Sequence, residues 1–203
     1  MSAAGKITAE HRAERRARER KLTREAILEA ARRVAAREGA ANLSLRAVAA
    51  EAGFAPAALY GYFTNKSELL IALAAEDLSG LARVLRAARS GKGASRLGAA
   101  AEAALALLQN SETFATAPAA LPAEAGSSEA ERLFNGRLIA VLRALSDASG
   151  HPADSPAAQA DIVLLAAALT GLAVFARSGR LAALGFSPAD MIAALDRRFL
   201  PAP

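Results

Sequence analysis

The chain has 203 residues, 53% of them hydrophobic and only 4% aromatic, with no cysteine and a formal net charge of +5. That length supports one or two domains with a sizeable core, and the lack of cysteine excludes disulfides and thiolate metal sites. The charge is unevenly placed: residues 1–70 carry 13 Lys and Arg against 8 Asp and Glu, while residues 71–203 balance at 12 of each. Such a distribution is expected where one end of a protein docks on a phosphate backbone, although a solvated basic arm would give the same count.

Ala and Leu, the strongest helix formers, dominate the chain, and no stretch reads as a convincing strand, so the expected fold class is all-α. Residues 1–9 are expected to fray. Residues 10–22 (EHRAERRARERKL) are charged and helix-prone. They either extend the first helix or form an arm of the kind that reaches the minor groove or trails along phosphates; for Arg18, Arg20 and Lys21 a solvated face is the competing reading. This N-terminus lacks the apolar segment of an export signal, and a cytoplasmic location is the simplest expectation. The first core helix is expected from Thr23, as its N-cap, to Glu38. Ile27, Ala31, Val34 and Ala35 form its inward stripe, Gly39 stops it, and Ser44 caps the next helix.

The stretch from Leu45 to Leu70 (LRAVAAEAGFAPAALYGYFTNKSELL) is the most organised of the chain. Leu45, Val48, Ala49 and Ala52 share one helical face. Gly53 interrupts it as a helix C-cap does, and Pro56 follows at a first-turn position, where its missing N–H costs nothing. Leu59 and Phe63, four residues apart, anchor the second helix. Asn65 with Glu68 makes the N-cap signature of a third. A short helix, a Gly-containing turn and a second short helix is the helix-turn-helix plan.

At these residues the chain resembles the tetracycline-repressor-like family of bacterial transcriptional regulators. Ser44 stands where that family has a hydroxyl residue opening its second helix. Ala49-Ala50-Glu51-Ala52-Gly53 matches its turn, and Leu59-Tyr60-Gly61-Tyr62-Phe63-Thr64-Asn65-Lys66 matches its Leu-Tyr-x-(His/Tyr)-Phe-x-x-Lys run. The resemblance covers about residues 23–75. It implies a helix-turn-helix DNA-binding domain over 23–70, preceded by the basic arm or helix extension of 1–22 and followed by a helical regulatory and dimerisation domain over 71–203.

The recognition helix, expected over 56–63, is chemically unusual. Direct readout needs donors and acceptors aimed at base edges in the major groove. Ala55, Pro56, Ala57 and Ala58 offer none, so Ala57 and Ala58 would supply shape and contact with thymine methyls. Arg46, in the first turn of the preceding helix, is the candidate for reading guanine, at a position that the resemblance turns towards the groove; pairing with phosphate or with Glu51 is the alternative. Tyr60 and Tyr62 can donate to phosphate oxygens, and Lys66 adds charge at the next helix start; such contacts set register rather than sequence. With Ser44 these complete the candidate DNA-binding set, and Phe63 is expected to be structural.

From Lys66 a long helix is expected to about Ala88, with Gly80 placed to kink it. The family resemblance implies that it carries the regulatory signal. A break follows at 90–95, then a helix over 95–110 and a Pro- and Gly-bearing stretch over 111–128 that cannot be one continuous helix. Residues 128–149 form the next helix, with Leu133, Phe134, Leu138, Val141, Leu142 and Leu145 as its buried side. Residues 156–178 are apolar nearly all round, but their uncharged run, 162–176, is short for an easy bilayer span. It reads as a buried helix, and no membrane partner is expected. A last helix runs over 188–199, capped by Ser187.

Operators are read as paired half-sites, which calls for a two-fold dimer. Helices 156–178 and 188–199 are expected to form the homodimer as a four-helix bundle, the arrangement the resemblance implies, with Ala160, Ala167 and Gly171 allowing close approach. The competing reading is a central core helix of a monomer. Leu105, Phe114, Phe134, Leu138 and Phe175 are the candidate ligand-binding residues, against a reading as plain core, and the scarcity of polar side chains around them favours an apolar small molecule. The implied function is a sequence-specific repressor that binds double-stranded DNA at a palindromic operator and is released by a small apolar effector. The alternative is a helix-turn-helix protein with no small-molecule effector, either an activator or a low-specificity DNA binder. Only two histidines are present, His11 and His151, and no metal cluster, nucleophile elbow or phosphate loop appears. No enzymatic activity, metal or cofactor is therefore expected.

Overall fold

A computed structural model describes residues 3–89, 95–111, 129–150 and 154–199, and the backbone alone for residues 3–9. These residues form nine helices: α1 (Ala3–Glu38), α2 (Leu45–Ala52), α3 (Pro56–Leu59), α4 (Lys66–Ala87), α5 (Arg96–Gln109), α6 (Glu129–Ser149), α7 (Pro156–Arg177), α8 (Arg180–Ala183) and α9 (Pro188–Phe199). The fold is all-α, and the described residues contain no strand. Most of the expected break at 90–95, nearly all of the stretch 111–128, and Phe114 with it, lie outside the described residues.

The first helix does not begin at Thr23. That residue sits in mid-helix, its hydroxyl donating to the Glu19 carbonyl at 3.0 Å, the back-bonding that a threonine adopts when it does not cap. Residues 10–22 contain neither Gly nor Pro, and Arg15–Glu19 and Lys21–Glu25 pair at i, i+4, each favouring the helix by a few tenths of a kcal/mol, roughly 0.2–0.5. The basic segment therefore continues α1 rather than leaving it as an arm. Gly39 ends α1, Ser44 accepts the Ala47 N–H at 3.2 Å to start α2, and Gly53 closes α2. Gly53 has φ 74°, a left-handed conformation that a β-carbon disfavours.

Pro56 opens α3, which ends at Leu59 instead of reaching the expected Phe63. Over Tyr60–Tyr62 the chain tightens, with Gly61 N–H donating to Ala58 at 3.2 Å and Tyr62 N–H to Leu59 at 2.8 Å, bonds of the three-residue kind. The tighter winding still turns both anchors inward: Leu59 is fully buried and Phe63 1% exposed. Asn65 then caps α4 by accepting the Glu68 N–H at 2.8 Å, while Glu68 accepts the Thr64 N–H at 2.7 Å.

Two apolar cores share α4. The first gathers Ile27, Ala31 and Val34 of α1 with Val48, Leu59, Phe63, Leu69 and Leu73. The second gathers Ile71, Leu78, Leu81 and Leu85 of α4 with Leu97 and Leu105 of α5, Leu145 of α6, Leu165 and Leu169 of α7, and Ile192 of α9. Each fully buried Leu, Ile or Phe contributes about 1.5–3 kcal/mol of transfer free energy. The cores interleave on α4 between Leu69 and Ala75, so opposite faces of one stretch of helix hold both together.

The buried side of α6 departs from expectation at Leu133, which is 39% exposed; Ala130, Phe134, Val141, Ala144, Leu145 and Ala148 form the inner stripe. Leu133 lies one residue, or about 100°, off that stripe. At the opposite end of the chain, α9 is pinned to α5. Ser95 accepts the Gly98 N–H at 2.8 Å and donates to the Asp196 carboxylate at 2.7 and 2.8 Å. A β-carbon at Gly98 would fall 2.8 Å from an Asp196 oxygen, so only glycine lets the carboxylate settle there. At the start of α9, Ser187 donates its hydroxyl and its backbone N–H to Asp190, at 2.6 and 2.8 Å, which holds that carboxyl below its usual value.

With 22 residues, α7 is long and apolar enough to cross a membrane by length and composition, which its uncharged run alone did not suggest. Its inner face, Ile162, Leu165, Leu169 and Leu172, is nevertheless packed into the second core.

Candidate functional site

The exposed surface of the head brings the sequence-derived set together in part. Ser44 and Arg46 lie on the exposed side of the start of α2, and Ala55, Pro56, Ala57 and Ala58 are all exposed on α3. Tyr60 follows with 60% of its surface exposed. Among the described residues no hydrogen bond or ion pair engages the Arg46 side chain. Glu51, its alternative partner, is taken instead by α1: Arg33 donates to it at 2.7 Å and Arg37 at 3.1 Å. Arg46 thus faces water, unpaired, while α3 exposes only a proline ring and alanine methyls.

Tyr62 and Lys66 are more deeply integrated. Tyr62 is half-buried, and Lys66 donates from Nζ to the Ala41 carbonyl, tying the start of α4 to the turn before α2. Their neighbours include Arg20, whose role the sequence left undecided, and Arg24, which sequence reading did not single out. Arg20, from the helical extension of α1, donates to the Gly61 carbonyl at 2.9 Å, and its guanidinium lies 5.0 Å from the Tyr62 ring centroid. Arg24, one turn on, stacks its guanidinium 5.2 Å from the Phe63 ring centroid, within cation–π range. The turn after α3 is therefore held from behind by two arginines spaced i, i+4. The signal in the sequence was that spacing, together with two adjacent aromatics at 62–63 for it to meet.

The Arg33–Glu51–Arg37 cluster fastens α2 to α1. Hydrogen bonds from Arg33 first, then from Arg37, hold the Glu51 carboxyl below its usual value near 4.5. A lowered folded value means that this contribution is present in full above the ordinary carboxylate range and is lost as pH falls through the folded value. Glu51→Gln is expected to flatten the acid side of the stability–pH profile and to leave its neutral-to-alkaline shape unchanged. Thermal unfolding midpoints from pH 3 to pH 7, compared with the slope expected for about one proton, check this.

The four described candidate ligand residues are not gathered into one chamber. Leu105 and Phe134 are buried in the second core, and Leu138 packs against its edge. Leu138 also borders a cavity of about 40 Å³, with Leu81, Leu108, Val141 and Leu169, space for little more than a water molecule. Phe175 lies elsewhere: it is 46% exposed and lines an outer apolar groove of about 500 Å³ with Leu172, Leu181, Leu184 and Phe186. The sequence pattern put Phe175 in the chamber because α7 is apolar on both sides. Only packing shows which side each residue takes.

The outer face of α7 continues that groove. Val163, Leu164, Val174 and Phe175 are between 46% and 59% exposed. Ala160 and Ala167 are exposed on the same stripe, and a β-carbon on Gly171 would meet nothing within 4 Å. Leu184 and Phe186, 63% and 51% exposed, extend the surface beyond α8.

A charged junction links the head to the remaining helices. Asp77, buried on α4, receives a hydrogen bond from Arg32 of α1 and another, at 2.6 Å, from Ser111 just beyond α5. Sequence reading missed it; an aspartate inside the apolar run LIALAAEDLSGL was the available cue. Among the described residues no group of three or more His, Cys, Asp or Glu is placed to hold a metal.

Comparison with known proteins agrees with this geometry. Residues 27–73 match the sequence model described as bacterial regulatory proteins, tetR family. Over 60 residues, 30% of the chain, there is 47% identity to the HTH-type nicotine-responsive transcriptional repressor HdnoR of Paenarthrobacter nicotinovorans; the match spans 31% of that relative. Among solved structures, a TetR transcriptional regulator from Rhodococcus sp. RHA1 shares the fold with a TM-score of 0.66 at 19% identity, covering 90% of this chain and 99% of that one. The transcriptional regulator FadR from Bacillus subtilis, solved with stearoyl-CoA, has a TM-score of 0.57 at 16% identity, covering 87% and 97%.

Proposed function

We propose that this chain, a member of the tetR family of bacterial regulatory proteins through its helix-turn-helix head, is a cytoplasmic transcriptional repressor. Two copies would hold a palindromic operator in double-stranded DNA. The observation that carries the reading is the exposed face of α2 and α3: Ser44, an unpaired Arg46, the methyl surface of Ala57 and Ala58, and Tyr60, braced from behind by Arg20 and Arg24. Arg46 supplies the base contact, the two alanines fit the groove wall, and Tyr60, Tyr62 and Lys66 set register on the phosphates. Its similarity to HdnoR over 60 residues supports the repressor reading. The chemistry is binding, not catalysis.

Release would follow from a small-molecule effector that prefers a different arrangement of the heads, because a ligand shifts such an equilibrium only by its differential affinity for the two states. An apolar effector would enter among Leu105, Phe134 and Leu138. The cavity of about 40 Å³ at the edge of that cluster must widen to admit it. α4, shared by both cores, is the element able to carry that change to the head.

A second reading is favoured by the wholly apolar exposed surface of α3: a DNA binder of low sequence preference. Selection of bound duplexes from a random pool at physiological salt separates the two. A palindrome with half-sites about one helical turn, 10–10.5 base pairs, apart supports the repressor. No enriched motif, with affinity that only tracks salt, supports the other. Within a selected operator, Arg46→Ala is expected to cost roughly 1–3 kcal/mol at one base position per half-site and to relax preference there. Tyr62→Phe should weaken all sequences alike. A uniform loss for Arg46→Ala would make it a phosphate contact.

A further inference from the structure

A cleft of about 700 Å³ opens between α1, α4 and the end of α5, within the size range of small-molecule sites, which favour the junctions between domains. Its chemistry is unlike that of the apolar core. One face of α4 supplies Glu76, Ser79, Gly80, Arg83 and Arg86 to it, residues spaced at i, i+3, i+4, i+7 and i+10 and so aligned along the helix. Leu107 of α5 lies against the middle of this face, where a β-carbon on Gly80 would touch its side chain at 3.4 Å. Gly80 therefore lets Leu107 come close to α4, which runs as one helix from Lys66 to Ala87.

The charges around the cleft are not balanced locally. Arg32 and Asp77 are committed to each other. Arg83 and Arg86 are exposed, and among the described residues neither side chain makes a hydrogen bond or an ion pair, with Glu76 or with any other group. Operator phosphates do not account for them: Arg83 lies 17 residues beyond Lys66, about 25 Å farther along the helix from the DNA face at 1.5 Å per residue. Two guanidiniums one turn apart, beside an apolar wall, suit a carboxylate through paired charge-assisted N–H donors.

We infer that this cleft binds a small organic anion, with its carboxylate held by Arg83 and Arg86 and its body lying against Leu107. The site goes beyond the operator-binding reading and does not depend on it. Its lining shares no residue with that of the apolar cavity beside Leu138.

Titrating the full-length protein with benzoate, hexanoate and citrate at fixed ionic strength tests the site. The readout is the arginine Nε–Hε resonances of Arg83 and Arg86, with benzamide and hexanamide as neutral counterparts. At least one carboxylate is expected to shift both resonances saturably, where its amide does not. Arg83→Gln with Arg86→Gln should weaken its binding, followed by calorimetry, by about tenfold or more. Gly80→Met, which places a side chain against Leu107 in the middle of the cleft while keeping both guanidiniums, should weaken it too. Equal affinity for acid and amide, undiminished affinity in the double variant, or no saturation by any of the three carboxylates overturns the proposal. None of these readouts involves DNA, so failure of the anion site and failure of operator binding are told apart.

Discussion

Leu164→Glu is expected to hold the protein as a monomer and to reduce operator affinity by orders of magnitude. Leu164 is 59% exposed in the single chain, midway along an apolar face that runs through Val163, Ala167, Gly171 and Phe175. That face is far more apolar than a free helix surface needs, and a two-fold partner would place the same face against itself. Glutamate there would bury an unpaired charge in each chain, at a cost of roughly 3–5 kcal/mol for each, while in the monomer it would stand in water at almost none. Fold stability of the monomer should therefore be nearly unchanged. Sedimentation velocity and operator titration together give the answer. A variant that stays dimeric and binds normally would move the dimer surface away from α7. A variant that is monomeric but binds a full operator as tightly as before would mean that the heads act independently.

Arg32→Ala is expected to lower stability by about 3 kcal/mol, because it takes the guanidinium from a carboxylate inside the fold. The Asp77 side chain is 5% exposed and the Arg32 side chain 38%. The asymmetry predicts the ordering of the variants. Asp77→Ala should cost less than Arg32→Ala, since the arginine left behind can swing into water, whereas Asp77 cannot. Arg32→Met combined with Asp77→Leu should recover most of the loss, as apolar replacement of a buried pair often does. Urea denaturation of the three variants measures this. A loss below about 1 kcal/mol for Arg32→Ala would place the pair among ordinary surface ion pairs. Because Asp77 also receives the Ser111 hydroxyl, the same variants bear on how the end of α5 is felt in the head.

The head was legible because its signals are local. Ser44, Gly53, Pro56 and Asn65 act within one turn of where they stand, and each sits at the helix end its chemistry suggests. Where local signals compete, the sequence was a weaker guide. Thr23 is a good N-cap residue, but nothing before it stops a helix, so its hydroxyl turned inward along α1. Leu133 fits an apolar pattern yet falls just off the inner stripe of α6, where alanines at 130, 144 and 148 pack instead. Phe175 belongs to a helix apolar on both sides, and periodicity does not choose between them.

The sequence by itself determined the all-α class, the starts of α2, α3 and α4 with the end of α2, and an exposed face of alanines and one proline on α3 with one arginine on α2, because helix propensity, capping and side-chain chemistry are properties of a few neighbouring residues. Only the tertiary structure decided which groups face one another across distance. Arg20 lies 41 residues from Gly61, Arg32 45 residues from Asp77, and Ser95 101 residues from Asp196. It also decided which face of α7 is buried and that Arg83 and Arg86 line an open cleft. The physical reason is the same in each case: a charge or an apolar face acquires its partner only when packing brings separate helices to within a few ångströms, and no short-range rule in the chain encodes that meeting.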